Sequence, residues 1–387
     1  MSNKKSQIYL DYAATTPVDE RVIKIMLPFF NKKFGNPASI HSFGQTAEAE
    51  LTAQRAKFAT AINARPEEIY FTSSATESNN LVLKGLSMAN RDRGNHLIIS
   101  AIEHDCVFES AKWLSQNGFE ISIAPVDQFG QIKFNELAKL ITPKTILVSI
   151  IHASNEIGTL QDLKKIGQLC KKNNIYFHTD TAQSFGKIAL DVKKLNIDLL
   201  TASSHKIYGP KGVGLLYKKA GIKIQPLLHG GGQENGLRSS TVNVAGIVGF
   251  GKALELCLTE QTKESQRQIK LRDYLIKNIL IKIPGSHLNG HPTNRLSNNI
   301  NLRFDKIEGE SIAMLLNEEG IAVSTGSACS SNKLEPSRVL LATGLEPAKV
   351  HGSLRISLGR WTTKSDLDYL IKKLIPIIKQ LRAISPF

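Results

Sequence analysis

From about residue 68 to residue 217 the sequence alternates buried-strand patterns with amphipathic helical ones, and this alternation narrows the choice of fold more than any other feature. Strands separated by helices call for a mostly parallel sheet covered by helices on its faces. The strand candidates are Glu68 to Thr72, His96 to Ser100, Phe119 to Ala124, Thr145 to Ile151, Ile175 to Thr179, Asp198 to Ala202 and Val213 to Tyr217. Helices fill the gaps. Between Asp162 and Lys172, for example, Leu163, Ile166 and Leu169 share one helical face, the lysines lie elsewhere, and Asn173-Asn174 closes the segment. The expected architecture is α/β.

After about residue 260 the pattern changes to a long helix (Ile269 to Ile281), an alternating strand (Asn299 to Phe304), then helix, strand, helix, strand and a final helix from about Ser365 to Ile384. That reads as a smaller α+β C-terminal domain, with a long helix carrying the chain across. A length of 387 residues fits two such units. The longest apolar run, Ile146 to Ile151, falls far short of the roughly 20 residues that cross a bilayer, so no membrane partner is expected. The first residues, Met1-Ser2-Asn3-Lys4-Lys5, lead straight into a strand-like Ile8-Tyr9-Leu10, and export is not expected.

The 49 Lys and Arg against 34 Asp and Glu give a net charge of +15, which raises the question of a nucleic-acid partner. The lysine pairs are scattered, with no basic block and no interleaved aromatics, so they read as solvated faces or as attraction for an acidic partner. Cys106, Cys170, Cys257 and Cys329 lie far apart and form no C-x-x-C pair, which fits a reducing, cytoplasmic setting.

In open α/β sheets ligands bind beyond the carboxyl ends of the strands. Glu103-His104 follows the second strand candidate, Asn155-Glu156 the fourth, Asp180 and Gln183 the fifth, and Ser203-Ser204-His205-Lys206 the sixth. Each has a structural alternative: a satisfied histidine, a helix cap at Asp180, a solvated lysine at Lys206. Together they point to pyridoxal phosphate, which needs a lysine for its covalent link and an acid at its pyridine nitrogen. Lys206 and Asp180 fit those roles. Ser73-Ser74-Ala75-Thr76-Glu77 supplies a helix start with a Ser-x-x-Glu cap, where Ala75 and Thr76 would meet a phosphate; an ordinary cap explains it equally well. The glycines between 209 and 214 and at 230 to 232 match no nucleotide-binding fingerprint.

A second chemical feature is Ser324-Thr325-Gly326-Ser327-Ala328-Cys329-Ser330-Ser331, small polar residues with one thiol, expected to form a mobile loop with an accessible, reactive Cys329. The other three cysteines lie in helical patterns, where a buried inert thiol is the default, Cys106 being the least secure because His104 is so near. In Leu354-Arg355-Ile356-Ser357-Leu358, Arg355 alternates with apolar residues and is either a carboxylate clamp or a surface arginine.

With these residues in view, the chain resembles a cysteine desulfurase of the IscS/NifS-like group I. The resemblance runs from Tyr9-Leu10-Asp11-Tyr12-Ala13-Ala14-Thr15-Thr16-Pro17 through Gly35-Asn36-Pro37, Ala75-Thr76-Glu77-Ser78, Glu103-His104, Asn155-Glu156-Ile157-Gly158, Ser203 to Lys206 and Gly230-Gly231-Gly232 to Gly326-Ser327-Ala328-Cys329 and Arg355 to Arg360. It implies a fold-type I pyridoxal-phosphate enzyme of the class V aminotransferase group, normally a homodimer. Residues 16–260 would form the large cofactor-binding domain, and 1–15 with 261–387 the small one.

By position, the resemblance makes Lys206 the cofactor-linked lysine, Asp180 the partner of the pyridine nitrogen, Gln183 that of the phenolic oxygen, and His104 the stacking group and proton partner. Thr76, Ser203 and His205 would bind phosphate, with Thr241 reaching over from the other subunit. Arg355 and Asn155 would hold the substrate carboxylate. L-cysteine would lose its sulfur to Cys329 as a persulfide, leaving alanine, and the sulfur would pass to an acceptor such as an iron-sulfur scaffold. The family usually has glycine at Ser74 and Ser204, asparagine at Ser154 and alanine at Thr181; Thr181 is expected to affect packing around the cofactor. Many cluster-assembly members also continue past the point matching Phe387, with a tail that docks the scaffold. The rival readings are a selenocysteine lyase or related lyase on the same scaffold, a non-catalytic sulfur-transfer partner, and a nucleic-acid binder motivated by charge alone.

Overall fold

The computed structural model describes residues 7–325 and 336–385. In chain order the strands among them are β1 (Ile8–Tyr9), β2 (Ile69–Thr72), β3 (His96–Ser100), β4 (Glu120–Ala124), β5 (Thr145–Ser149), β6 (Tyr176–Asp180), β7 (Leu199–Ser203), β8 (Gly214–Lys218), β9 (Ser286–Leu288), β10 (Asn299–Phe304), β11 (Ile321–Ala322) and β12 (Ser353–Ser357). The main sheet has the order β2-β8-β7-β6-β5-β3-β4. Neighbours from β7 to β4 pair in parallel, while β8 runs antiparallel to both β7 and β2. Two reversals restore direction, so β2 points the same way as β7. Six strands therefore end at one edge of the sheet.

Helices cover both faces, so β3, β5 and β7 are buried along their whole length, as parallel strands must be; the antiparallel edge strand β2 is buried too, whereas the opposite edge strand β4 is half open to solvent. On one face Phe58 of the helix Ser42–Ile62 meets Phe250 at 4.6 Å and Phe71 of β2 at 5.5 Å between ring centroids. Against the other, Val107, Ala111 and Leu114 of the helix Asp105–Ser115 are buried beside Leu97 and Ile99.

A second core forms where β12, β10 and β9 pair antiparallel and the helix Lys364–Ile384 buries Leu367, Leu370 and Leu374. The helix Val244–Lys282 serves both cores, with Phe250 and Leu254 in the first and Leu275 and Ile279 in the second. It begins well before the expected Ile269 because its glycine-rich first two turns, Val244 to Gly251, are buried all round and show no amphipathic face. Strand β10 has its expected limits but not the expected alternation: five of its six residues are buried. Its outward Asn299 and Asn301 donate to the carbonyl of Glu156, which closes the second face. Strand β1 joins this second core by pairing in parallel with β11, and Asp11 bridges to Ser357.

Candidate active site

Five of the six strand ends, all but that of β4, deliver a polar group to the shared edge. After β2, Ser74 caps the helix Ala75–Asn80 by accepting the Glu77 N–H at 3.1 Å. The Glu77 carboxylate does not return to Ser74; it accepts the Ser73 N–H at 2.8 Å and Arg238 Nε at 2.8 Å. Burial opposes the charge of Glu77, but Arg238 and Ser73 outweigh it and hold the carboxyl below its usual range. Ala75 and Thr76 stand in the first turn, where backbone N–H groups have no intrahelical acceptor.

After β3, Glu103 is fully buried and its Oε1 accepts the Ile151 N–H at 2.6 Å and the Ser100 hydroxyl at 2.7 Å. Burial, helped by the charge of Asp180, pushes its carboxyl up to about 8, so it is neutral at pH 7. His104 caps the helix Asp105–Ser115, with Nδ1 accepting the Cys106 N–H at 3.2 Å. Cys170 and Cys257 are buried as expected, but Cys106 is only half-buried. Helical periodicity predicts which face is inward, not that this first turn opens at the crevice.

After β5, the Ser154 hydroxyl accepts the Glu156 N–H at 3.2 Å and shapes the turn that carries Asn155. Gly158 follows at φ +74°, where a Cβ would come within 2.7 Å of the Asn299 side chain. After β6, Asp180 is buried; its Oδ1 accepts the Ala182 N–H at 2.8 Å and its Oδ2 accepts Asn79 Nδ2 at 2.7 Å. The helix-cap alternative fails, because among the described residues no helix stands between β6 and β7; Oδ1 instead holds the turn that starts at Thr181. Deeper in the sheet, His178 lies between the hydroxyls of Ser149 and Thr201, and burial pushes it down to about 3, leaving it neutral. Thr181 donates its hydroxyl to the Thr201 carbonyl at 2.6 Å, so β7 absorbs the side chain that sequence comparison marked as a packing concern.

After β7, a short turn Ser204–Lys206 presents the amine. Lys206 Nζ donates to the carbonyls of Ala13 and Ala14, each at 2.7 Å, and Gln183 Nε2 donates to the same Ala13 carbonyl at 2.9 Å. The His205 ring bonds Thr15 Oγ1 at 3.1 Å. Burial, then the charges of Lys206, Lys211 and Lys187, pushes His205 down to about 4. The stretch Ala13 to Thr15 thus lies against groups from two strand ends.

From the second core, Arg355 of β12 enters almost fully buried; it pairs with Asp11 at 2.8 Å and donates to the Asn155 carbonyl at 3.1 Å. It is not a surface arginine. Asn155 contributes its backbone oxygen to this contact. Cys329, with Gly326 to Ser331 around it, lies outside the described residues. Both described flanks of that stretch touch the site: Ser324 pairs with the Arg355 backbone at 2.6 and 3.1 Å, Ser337 donates to Glu156, and Arg338 donates to the Glu103 carbonyl at 2.9 Å. Thr241 is exposed and lines a cavity of about 220 Å³ with Ser73 and Arg238.

Of the residues singled out from the sequence, the fold puts His104, Asp180, Gln183 and Lys206 at the ends of strands of one sheet, and Arg355 joins them from β12 of the second core. Sequence reasoning missed Asn79, the Ala13 and Ala14 carbonyls, Asp11 and Arg238. Asn79 left a signal, as a polar residue that the helix must bury just before the apolar Leu81-Val82-Leu83, and Asp11, Ala13 and Ala14 lie in the first stretch that carries the resemblance, though without a role assigned. An amine, a buried carboxyl group, hydroxyls and a helix start suit a phosphate-bearing pyridine cofactor.

The family model described as aminotransferase class-V matches residues 8–370. A cysteine desulfurase IscS of Methanosarcina thermophila is 50% identical over 386 residues, covering 100% of this chain and 95% of that protein. Among solved structures, a NifS-like protein superposes with a TM-score of 0.91 at 39% identity, covering 97% of this chain and 100% of that one. A structure titled SspA in complex with cysteine gives 0.81 at 36% identity, with 92% and 100% covered.

Proposed function

The chain belongs to the class-V aminotransferase family, among its pyridoxal-phosphate-dependent cysteine desulfurases, and from that premise we propose which of its residues do the work and how its two parts divide it. The substrate is L-cysteine and the product sulfur goes to an acceptor. Residues 16–260 act as the cofactor-binding domain, and 1–15 with 261–387 as the smaller domain that brings Arg355 and Cys329. The carrying observation is that Lys206 and Gln183, from different strand ends, donate to one carbonyl, that of Ala13.

Lys206 would hold the cofactor, with Asp180 the partner of its pyridine nitrogen, Gln183 of its phenolic oxygen and His104 of its ring. Ala75, Thr76, Ser203 and His205 would receive the phosphate, with Thr241 of a second copy. When bound, pyridoxal phosphate supplies an acceptor for the electron pair released at the substrate Cα. Arg355 and Asn155 orient the substrate carboxylate. Lys206 takes the Cα proton and His104 handles the proton on sulfur. The Cys329 thiolate then attacks the substrate sulfur: an S–S bond forms, the C–S bond breaks, and the Cβ that keeps its electron pair is protonated. One cysteine and one enzyme thiol become one alanine and one enzyme persulfide.

The homodimer is supported by an open apolar face on which Leu27, Phe30, Phe34, Ile40 and Phe43 are all exposed, with the Phe34 and Phe43 rings 5.5 Å apart. The acceptor we propose, from the resemblance to group I cysteine desulfurases, is an iron-sulfur scaffold. A cytoplasmic setting is favoured by the unpaired thiols of Cys106, Cys170 and Cys257; none of the described helices is long and apolar enough to cross a membrane. The test is to incubate protein, pyridoxal phosphate, cysteine and a reductant and to measure alanine and sulfide together. Equal yields that vanish in Lys206→Ala and in Cys329→Ser support the assignment; alanine formation that survives Cys329→Ser points to a lyase instead.

A further inference from the structure

Asn79 is fully buried, and its Nδ2 lies 2.7 Å from Asp180 Oδ2 and 3.2 Å from Cys106 Sγ. The first contact fixes which way the amide points, because its oxygen could not sit so close to a carboxylate oxygen. The N–H end therefore faces both neighbours, and Oδ1 is left buried with no partner among the described residues. Sulfur accepts from Asn79. On its other side Sγ lies 3.1 Å from His104 Nδ1, which also accepts the Cys106 backbone N–H at 3.2 Å. A ring nitrogen that accepts carries no proton, so the thiol donates to it. The proton of a neutral His104 ring is then on Nε2.

Asp180 and His104 are thus the two ends of one hydrogen-bonded path whose middle is Asn79 and Cys106. We infer that Cys106 is a positioning residue of this desulfurase: its thiol, at the edge of the cofactor pocket, ties the orientation of the His104 ring to the buried Asp180. The inference rests on the assignment of Asp180 and His104 to the cofactor made above. Alanine at 106 keeps the backbone cap but removes both sulfur contacts. Serine keeps a donor and an acceptor on a shorter bond.

The test uses full-length protein with pyridoxal phosphate bound and the same protein stripped of it. Both are treated with iodoacetamide, and alkylation at Cys106 is followed by peptide mass spectrometry. Bound cofactor is expected to slow it about ten-fold. In Cys106→Ala the visible circular dichroism of the bound cofactor is expected to fall and kcat to drop about ten-fold, with KM for cysteine changing less than about two-fold. Cys106→Ser is expected to recover a large part of both. Equal alkylation rates with and without cofactor, an unchanged alanine variant, or a serine variant no better than alanine would each overturn the inference. A protein that takes up no pyridoxal phosphate removes the site assignment and this inference with it, whereas one that takes it up but fails these readouts removes this inference alone.

Discussion

Arg355 and Asp11 form a 2.8 Å ion pair between β12 and the segment after β1, with only 2% of the arginine side chain exposed. Removing one partner of such a pair strands the other charge in a poor solvent. Asp11→Asn is therefore expected to lower the unfolding free energy by about 3 kcal/mol, read from urea denaturation monitored by circular dichroism. An unchanged midpoint would mean that the other contacts of the guanidinium, the Asn155 carbonyl among them, satisfy it.

Glu103 gives a pH prediction. Its folded carboxyl sits near 8 while an unfolded glutamic acid titrates near the usual value, so between those limits folding takes up a proton. The stability this group contributes is full below the unfolded value and is lost as pH rises toward 8. Glu103→Gln cannot ionise, so its stability relative to the parent should climb with pH from 5 to 8, by up to about 1.4 kcal/mol per unit. A flat difference would show that the native carboxyl is already ionised.

The buried histidines act in the opposite direction. Burial pushes His178 down to about 3 and His152 to about 4, below the unfolded value, so both must be neutral to stay folded. Their contribution is full above about pH 6.5 and drains away as pH falls toward the folded values. Replacing His178 by Asn should make the loss of stability between pH 6 and 4.5 shallower by up to about 1.4 kcal/mol per unit, measured by chemical unfolding at each pH. An equal slope in the two proteins would show that His178 is not neutral.

The open apolar face makes an assembly prediction. Phe30 and Phe34 are 65% and 62% exposed, so charging them should cost the monomer little while disrupting an interface that buries them. Phe30→Glu with Phe34→Glu is expected to halve the mass measured by light scattering. A parent protein already at the chain mass would dispose of the dimer.

Asp180 and Lys206 were legible because the strand pattern is strong and the polar residues follow it directly; observed strands ended at Asp180 and Ser203, one residue beyond expectation. What stayed hidden has no local sequence signature. The Ala13 and Ala14 carbonyls are backbone atoms that any residue type would supply. Asp11 finds Arg355 across 344 positions, and no periodicity encodes such a pairing. The exposure of Cys106 depends on which turn of its helix opens at the crevice, which the 3.6-residue repeat does not specify.

Ile8 and Ile321 are register partners although more than three hundred positions separate them. A ribosome adding about 5–20 residues per second makes the second of the pair on the order of 15–60 s after the first. Until then β1 has no partner strand, and the stretch bearing Ala13 and Ala14 is tied down from one side, by Thr15 and Thr16 bonding His205. Between the synthesis of Lys206 and that of Ile321 the nascent chain thus has one side of the cradle around the amine, and the other side closes only late in synthesis.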